Sequence, residues 1–254
     1  MAGDLTFDTN VSGVADGEIV IRGATISTLI SEANFCSAFF LSLSGRRASQ
    51  SELCIFNAVL TAALDQGLSP ASGFVPRVAA SSGVEPTTAI AAGLLTLGPM
   101  HGGAVSAAME LFVAISSQDD VEKAARETIL KKLAAGERVP GFGHAVYTKS
   151  DPRARQMFAV ARNEEIDIEY LNIAKQVELI LEEQTGTLRV LNIDGAMAAL
   201  LLTLKLPPAV GNALFAVAKA AGSIAHIVEE QANFVGVRRL PPELCRYHNQ
   251  SSNE

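Results

Sequence analysis

Apolar side chains return every three or four residues through nearly the whole chain, and Gly or Pro cuts the runs before any becomes long. Between residues 24 and 43 they fall at Ile26, Leu29, Ile30, Ala33, Phe39, Phe40 and Leu43, nearer the helical period than the alternation of a strand. That stretch therefore reads as one or two helices. Ser49-Gln-Ser-Glu52 has the form of a capping box and opens an apolar helix over 53–64. Further helices are expected over 74–82, 89–97, 104–116, 121–135, 151–163, 167–183, 195–204 and 209–231, with Pro or acidic residues near several of their starts. Only Val14-Ala-Asp-Gly-Glu-Ile-Val-Ile-Arg22 looks extended, with Asp16-Gly17 as the turn of a small hairpin. The fold class is all-α.

A chain of 254 residues, 48% hydrophobic, can bury a core as one large domain or two small ones. Residues 1–10 carry two Asp and no Lys or Arg, unlike a leader, so the expected location is cytoplasmic. Lys205, Pro207, Pro208 and Lys219 interrupt the most apolar region, 195–228, which reads as core helices and not as a membrane span. Cys36, Cys54 and Cys245 are odd in number and lack CxxC spacing, so neither disulfides nor a metal site is expected. A net charge of −7 without basic runs argues against nucleic acid and anionic membranes. An anionic substrate must then be met by a local group of cations.

Three Gly-rich loops stand apart from the helices: Leu97-Gly-Pro-Met-His101-Gly-Gly, Val139-Pro-Gly-Phe-Gly-His144-Ala-Val-Tyr-Thr-Lys-Ser-Asp-Pro-Arg153, and Leu191-Asn-Ile-Asp194-Gly. Each sets a titratable side chain, His101, His144 or Asp194, among glycines and apolar residues. Gly141 and Gly143 permit a close approach of ligand to the main chain and a fixed presentation of His144. One carboxylate and two imidazoles suit enolisation, in which a base reaches a C–H beside a carbonyl while donors hold the oxygen. Singly, each has a structural explanation: a hydrogen-bonded loop His, or a helix N-cap at Asp194 or Asn192. His226, within a helix, and His248, in the tail, are read as structural.

The blocks Gly98-Pro-Met-His101-Gly-Gly-Ala, Pro140 to Arg153, and Asn192-Ile-Asp194-Gly resemble the three signature segments of the citrate synthase family. Asp16 to Gly23 resembles its early hairpin, and Gly222 and Arg239 fall in its terminal helix and turn, so the likeness spans nearly the whole chain. In size, and in Asp65-Gln-Gly67 and Gly93-Leu-Leu-Thr-Leu-Gly98, the chain is more similar to the citryl-CoA lyase branch, including the C-terminal module of ATP-citrate lyase.

The resemblance implies a citrate-synthase-like fold with a large helical domain over 1–102 and 203–254 and a small one over 103–202. It implies reversible carbon–carbon cleavage between acetyl-CoA and oxaloacetate or a related 2-oxo acid, with a coenzyme A thioester as substrate and no tightly bound cofactor. Asp194 would exchange the proton at the methyl carbon, His101 would support the enolate oxygen, and His144 would hold the keto or hydroxyl oxygen of the second substrate. Arg153, Lys219 and Arg239 would meet carboxylates, Arg239 reaching in from a second subunit of a homodimer or an assembly of dimers. Gln66 stands where the family has a His, Lys219 where relatives have Arg, and Thr148 with Lys149 beside it where a basic residue often meets coenzyme A phosphate. The catalytic trio is kept and the carboxylate pocket changed, which implies a different 2-oxo acid or slower turnover. The alternatives are a condensing citrate or methylcitrate synthase and a non-catalytic regulatory subunit of the same fold.

Overall fold

The computed structural model describes residues 6–233 and 235–248. Phe234, at the head of the expected basic turn, and the end of the polar tail lie outside the described residues.

The N-terminal hairpin forms where Asp16-Gly17 places it. Strands β1 (Ser12–Ala15) and β2 (Glu18–Ile21) pair antiparallel, with Ser12 opposite Ile21 and Ala15 opposite Glu18. Asp16 and Gly17 have φ of 52° and 79°, the doubly positive turn whose twist matches that of the strands. Arg22 and Gly23 repeat it at 49° and 80°, which turns the chain into a short third strand, β3 (Ala24–Thr25). Thr25 then accepts the Thr28 N–H at 3.2 Å and so starts the first helix.

Eleven α-helices follow among the described residues: α1 (Ile26–Glu32), α2 (Phe35–Ser44), α3 (Gln50–Ala63), α4 (Ala71–Ser81), α5 (Pro86–Leu94), α6 (Ala104–Ser116), α7 (Val121–Ala134), α8 (Pro152–Asn163), α9 (Glu169–Thr185), α10 (Ile193–Thr203) and α11 (Gly211–Ala232). The 24–43 region is two helices because Asn34 accepts the Ser37 N–H and caps a second start. The capping box before α3 is closed on both sides: Glu52 N–H donates to Ser49 Oγ at 3.2 Å, and Ser49 N–H to Glu52 Oε2 at 2.8 Å. Helix α4 begins earlier than its apolar pattern suggests, directly after Pro70, and α5 ends earlier, in a tight turn over 94–97.

The chain divides into two compact units, one of residues 1–63 with 99–215 and one of residues 64–98 with 216–254. That grouping follows contacts; the 102/103 and 202/203 boundaries implied by the family resemblance stand as a separate proposal. The first unit is built around α10, whose Ile193 and every residue from Gly195 to Leu202 are buried. A helix apolar all round belongs in the middle of a bundle, and α3, α6, α8 and α9 surround this one. In the second unit Ala80, Ala89 and Ile227 form a small core, backed by Ala79, Val84 and Ile90. Gly93 lets α5 close on α4, since a Cβ there would come 2.3 Å from Cγ of Pro76.

The stretch Pro208–Ala232 is, after all, long and apolar enough to cross a membrane by length and composition, with a mean hydropathy of 1.3. Lys219, which interrupts the apolar run in the sequence, is buried in the helix, as are Ser223 and Glu230. These polar groups lie buried on one side of the helix with Leu214, Phe215, Ala218 and Ile227, while Val217, Ile224 and Val228 are exposed.

Candidate active site

Two of the three Gly-rich loops are joined through their main chains. Phe142 and Leu191 form an antiparallel bridge, Gly143 N–H donates to Val190 O at 2.8 Å, and Asn192 N–H donates to Gly141 O at 3.0 Å. The Asn192 side chain adds a bond to Gly143 O at 2.9 Å. This approach requires glycine on both sides. A Cβ at Gly141 would lie 2.7 Å from Cα of Gly195, one at Gly195 would lie 2.5 Å from O of Gly141, and Gly141 has φ of +87°. The His144 loop is thereby fixed to the start of α10. Asn192, not Asp194, caps that helix, its Oδ1 accepting from the N–H groups of Asp194 and Gly195 at 2.9 and 3.2 Å. Asp194 is left in the first turn, where the helix dipole favours an anion.

The His144 ring has a defined proton arrangement. Its Nδ1 accepts the N–H groups of Val146 and Tyr147, both at 3.0 Å, so in the neutral ring the proton sits on Nε2. Burial pushes the His144 pKa below its usual 6.5, the Arg153 charge adds to that, and Asp151 only partly offsets them. The ring is therefore a neutral N–H donor at pH 7. Arg153 Nη2 lies 3.2 Å from Nε2. With Nε2 protonated neither nitrogen can accept from the other, and an oxygen set in front of the pair, above all an anionic one, can accept from both.

Asp151 and Tyr147 hold Arg153 there. Nε and Nη2 of Arg153 donate to the two Asp151 oxygens at 3.0 and 2.7 Å, and the guanidinium lies over the Tyr147 ring, 5.4 Å from its centre. The same ring packs on His144 at 4.6 Å. Burial raises the Asp151 pKa, but hydrogen bonds and charge from Arg153 outweigh it and keep the carboxyl below the usual 3.8. Asp151 also accepts the Arg153 N–H at 3.0 Å, the capping bond that starts α8.

His101 belongs to the same unit and precedes α6, which packs along α10. Its ring meets Phe215 edge-on at 6.1 Å. Ser106 and Asn212 fix this end of α6 reciprocally: Ser106 N–H donates to Asn212 Oδ1 at 3.0 Å, and Asn212 N–H to Ser106 Oγ at 3.1 Å. Farther along α6, Phe112 packs edge-on against Phe142 of the His144 loop. The structure thus joins His144, Arg153, Gly141, Gly143 and the Asp194 turn directly, and ties His101 to them through α6. Lys149 is exposed on the same loop.

Gln66, Lys219 and Arg239 belong to the second unit. Gln66 sits in a turn closed by Asp65, whose Oδ1 accepts the N–H groups of Gln66 and Gly67 at 2.8 and 3.1 Å. His226 Nε2 meets Asp65 Oδ2 at 3.1 Å, in keeping with its structural reading, and Gly222 admits the chain at Leu64, whose O would lie 1.9 Å from a Cβ there. Arg239 is exposed and follows Arg238, which is anchored to Glu230 and to the Ser81 hydroxyl. The sequence reading missed this anchor, along with Tyr147 and the second role of Asp151. The spacing Asp151-Pro-Arg153 was the one available signal, since Asp two residues before Arg at a helix start can both cap and pair.

The family described as citrate synthase, C-terminal domain, matches residues 25–241. The citryl-CoA lyase of Hydrogenobacter thermophilus superposes with a TM-score of 0.89 at 28% identity, covering 98% of this chain and 96% of that one. The citrate synthase of Thermoplasma acidophilum, in a ternary complex with carboxymethyl coenzyme A and oxaloacetate, gives 0.68 at 26% identity over 87% of this chain and 58% of its own. The citrate synthase of Synechocystis is 32% identical over 206 residues, 78% of this chain and 50% of that protein. The chain therefore spans about half the length of that curated relative. On the family match, which covers most of its length, the chain belongs to the citrate synthase family.

Proposed function

We propose that this chain is a citryl-CoA lyase-like enzyme that makes and breaks the carbon–carbon bond between acetyl-CoA and oxaloacetate or a related 2-oxo acid. The observation that carries the reading is the pair of donors, His144 Nε2–H and the Arg153 guanidinium, converging on a loop bonded to the Asp194 turn. A 2-oxo acid offers a keto oxygen and a carboxylate side by side, and these two donors match them. In the condensing direction Asp194 takes a proton from the thioester methyl group and His101 holds the enolate oxygen. The enolate carbon then attacks the keto carbon, and the oxygen held by His144 takes up a proton as the bond forms. Cleavage is the reverse: the hydroxyl gives up its proton, the bond breaks, and the acetyl carbon regains the proton from Asp194.

Lyase is preferred to synthase because the likeness to the citryl-CoA lyase runs over nearly the full length of both chains. Lys219, Gln66 and Arg239 keep their carboxylate roles, and Lys149, Gly141 and Gly143 their coenzyme A roles, on the family resemblance alone; a cytoplasmic homodimer is proposed on the same basis. The test is incubation with citryl-CoA and, separately, with acetyl-CoA plus oxaloacetate. Release of acetyl-CoA from the first without free citrate supports the lyase. Free citrate and coenzyme A from the second would make it a synthase, and inactivity in both would refute the enzyme reading. Asp194→Asn, His144→Ala and His101→Ala should each lower turnover about a hundred- to thousandfold.

A further inference from the structure

After α3 the chain makes a turn that one carboxylate organises. Asp65 Oδ1 accepts the N–H groups of Gln66 and Gly67 at 2.8 and 3.1 Å, while Oδ2 meets Nε2 of His226 on α11 at 3.1 Å. Burial raises the Asp65 pKa, but the bonds from His226, Gly67 and Gln66 outweigh it and keep the carboxyl below the usual 3.8. An ionised carboxylate only accepts, so Nε2 of His226 carries the proton. The turn is held from two sides. Gly222 lets α11 press on Leu64, whose O would lie 1.9 Å from a Cβ there, and a Cβ at Gly73 would lie 2.1 Å from Gly67 O, so the first turn of α4 closes on it as well. Lys219, Gly222 and His226 follow one another on α11 at spacings of three and four and share a face. The face that meets the 64–67 turn is therefore the one that carries the buried Lys219. His226 keeps 20% of its side chain exposed and Asp65 47%, so their bond adds little to the stability of the fold; what it fixes is position.

We infer that His226 is a positioning residue for the acid substrate: acting through Asp65, it sets Gln66 beside Lys219, so that one carboxylate receives a hydrogen bond from the amide and the charge of the ammonium. The inference rests on the carboxylate roles of Gln66 and Lys219 given above. An amide serves a carboxylate only when its N–H points at an oxygen, whereas an ammonium is a point charge whose donors rotate to suit. Gln66 has several rotatable bonds and carries its amide on a turn, so its aim depends on how firmly that turn is seated. Asp65 holds the main chain of Gln66 with one oxygen and α11 with the other, which makes the position of the amide follow that of the helix bearing Lys219.

Calorimetric titration of the full chain with oxaloacetate tests this, with coenzyme A as the control ligand. Gln66→Ala should weaken oxaloacetate binding about tenfold, and His226→Leu about fivefold, by loosening the seat of the same amide. His226→Gln puts an amide N–H near the place of Nε2 and should restore most of the affinity. The double variant, Gln66→Ala with His226→Leu, should bind no more weakly than Gln66→Ala alone, since His226 acts through Gln66 and then has nothing left to position. Coenzyme A, whose proposed contacts Lys149, Gly141 and Gly143 belong to the first unit, should bind alike in all of them. His226→Asn, too short to reach Asp65, is measured beside His226→Leu, so that whichever melts like the parent carries the result. A loss of about fiftyfold in the double variant, an equal weakening of coenzyme A, or unchanged oxaloacetate binding in His226→Leu and His226→Asn would overturn the inference and leave Gln66 as a ligand of the acid. Unchanged binding in Gln66→Ala, or no oxaloacetate binding by the parent, would remove the carboxylate reading of Gln66 and the inference with it.

Discussion

Replacing Glu230 by Gln removes the charge from a fully buried carboxylate held by two arginines. Glu230 lies on α11 with its side chain fully buried; Nε of Arg238 donates to Oε1 at 2.6 Å, Nη2 of Arg238 donates to Oε2 at 3.0 Å, and Nε of Arg77 also donates to Oε2. Hydrogen bonds from Arg238 act most strongly on its pKa, burial opposes them, and Arg77 adds to them, bringing it from 4.5 down to about 2. At about 1.4 kcal/mol per pH unit this is about 3 kcal/mol in favour of the folded, ionised form. Arg238 is 46% exposed, so solvent screening reduces the expected loss in Glu230→Gln to about 2 kcal/mol at pH 7. The sign follows from the direction of the shift. A depressed carboxylate contributes its full stability above its unfolded value of 4.5 and loses it as pH falls toward about 2. Denaturant unfolding of both proteins, with hydrogen exchange in α4 and α11, should show a gap that is constant from pH 8 to 5 and closes below pH 4.5. A gap of unchanged size at pH 3, or a variant as stable as the parent at pH 7, would refute the reasoning.

Gly195→Ala should separate the His144 loop from α10, because its Cβ would meet Gly141 O at 2.5 Å and backbone has little room to yield; a loss of about 3 kcal/mol in stability is expected, and unchanged melting would disprove the tight junction. Nuclear magnetic resonance should find His144 titrating below 6.5 and moving upward in Arg153→Ala; a midpoint at or above 6.5 in the parent would contradict the neutral donor. Co-refolding of inactive Arg239→Ala and Asp194→Asn should restore part of the activity if Arg239 serves the site of a second copy, and a fully active monomer by light scattering would rule that out.

Much of the fold was legible because local rules and tertiary packing agree. Asp16-Gly17 asks for a doubly positive turn and forms one. Ser49 and Glu52 ask for a capping box and close it, and the same Glu52 then pairs with Arg46, which reaches Leu204 O at 3.0 Å. Helix ends were less legible where backbone hydrogen bonds alone decide them, as at 94–97 after α5. The central position of α10 could be suspected from Ala196 to Leu202 but not assigned, since the neighbouring apolar runs look alike until packing ranks them. Arg77 and Glu230 stand 153 residues apart, and no local pattern pairs two such charges when other partners are available.

The site divides along the same line. His144, Asp194 and the glycines at 141 and 143 could be marked from composition because Gly-rich loops around a titratable group are rare in a helical chain. What the ring of His144 can do could not be read from its identity, because the main-chain N–H groups of Val146 and Tyr147 decide which nitrogen carries the proton. A His whose Nδ1 accepted no such bonds could take either tautomer, and then Arg153 could donate to Nε2 and close the pair on itself. Here the loop removes that choice. The turn that places Val146 and Tyr147 behind the ring therefore converts a His–Arg contact into two donors awaiting an oxygen, and Asp151, buried beneath Arg153, keeps the guanidinium from turning away.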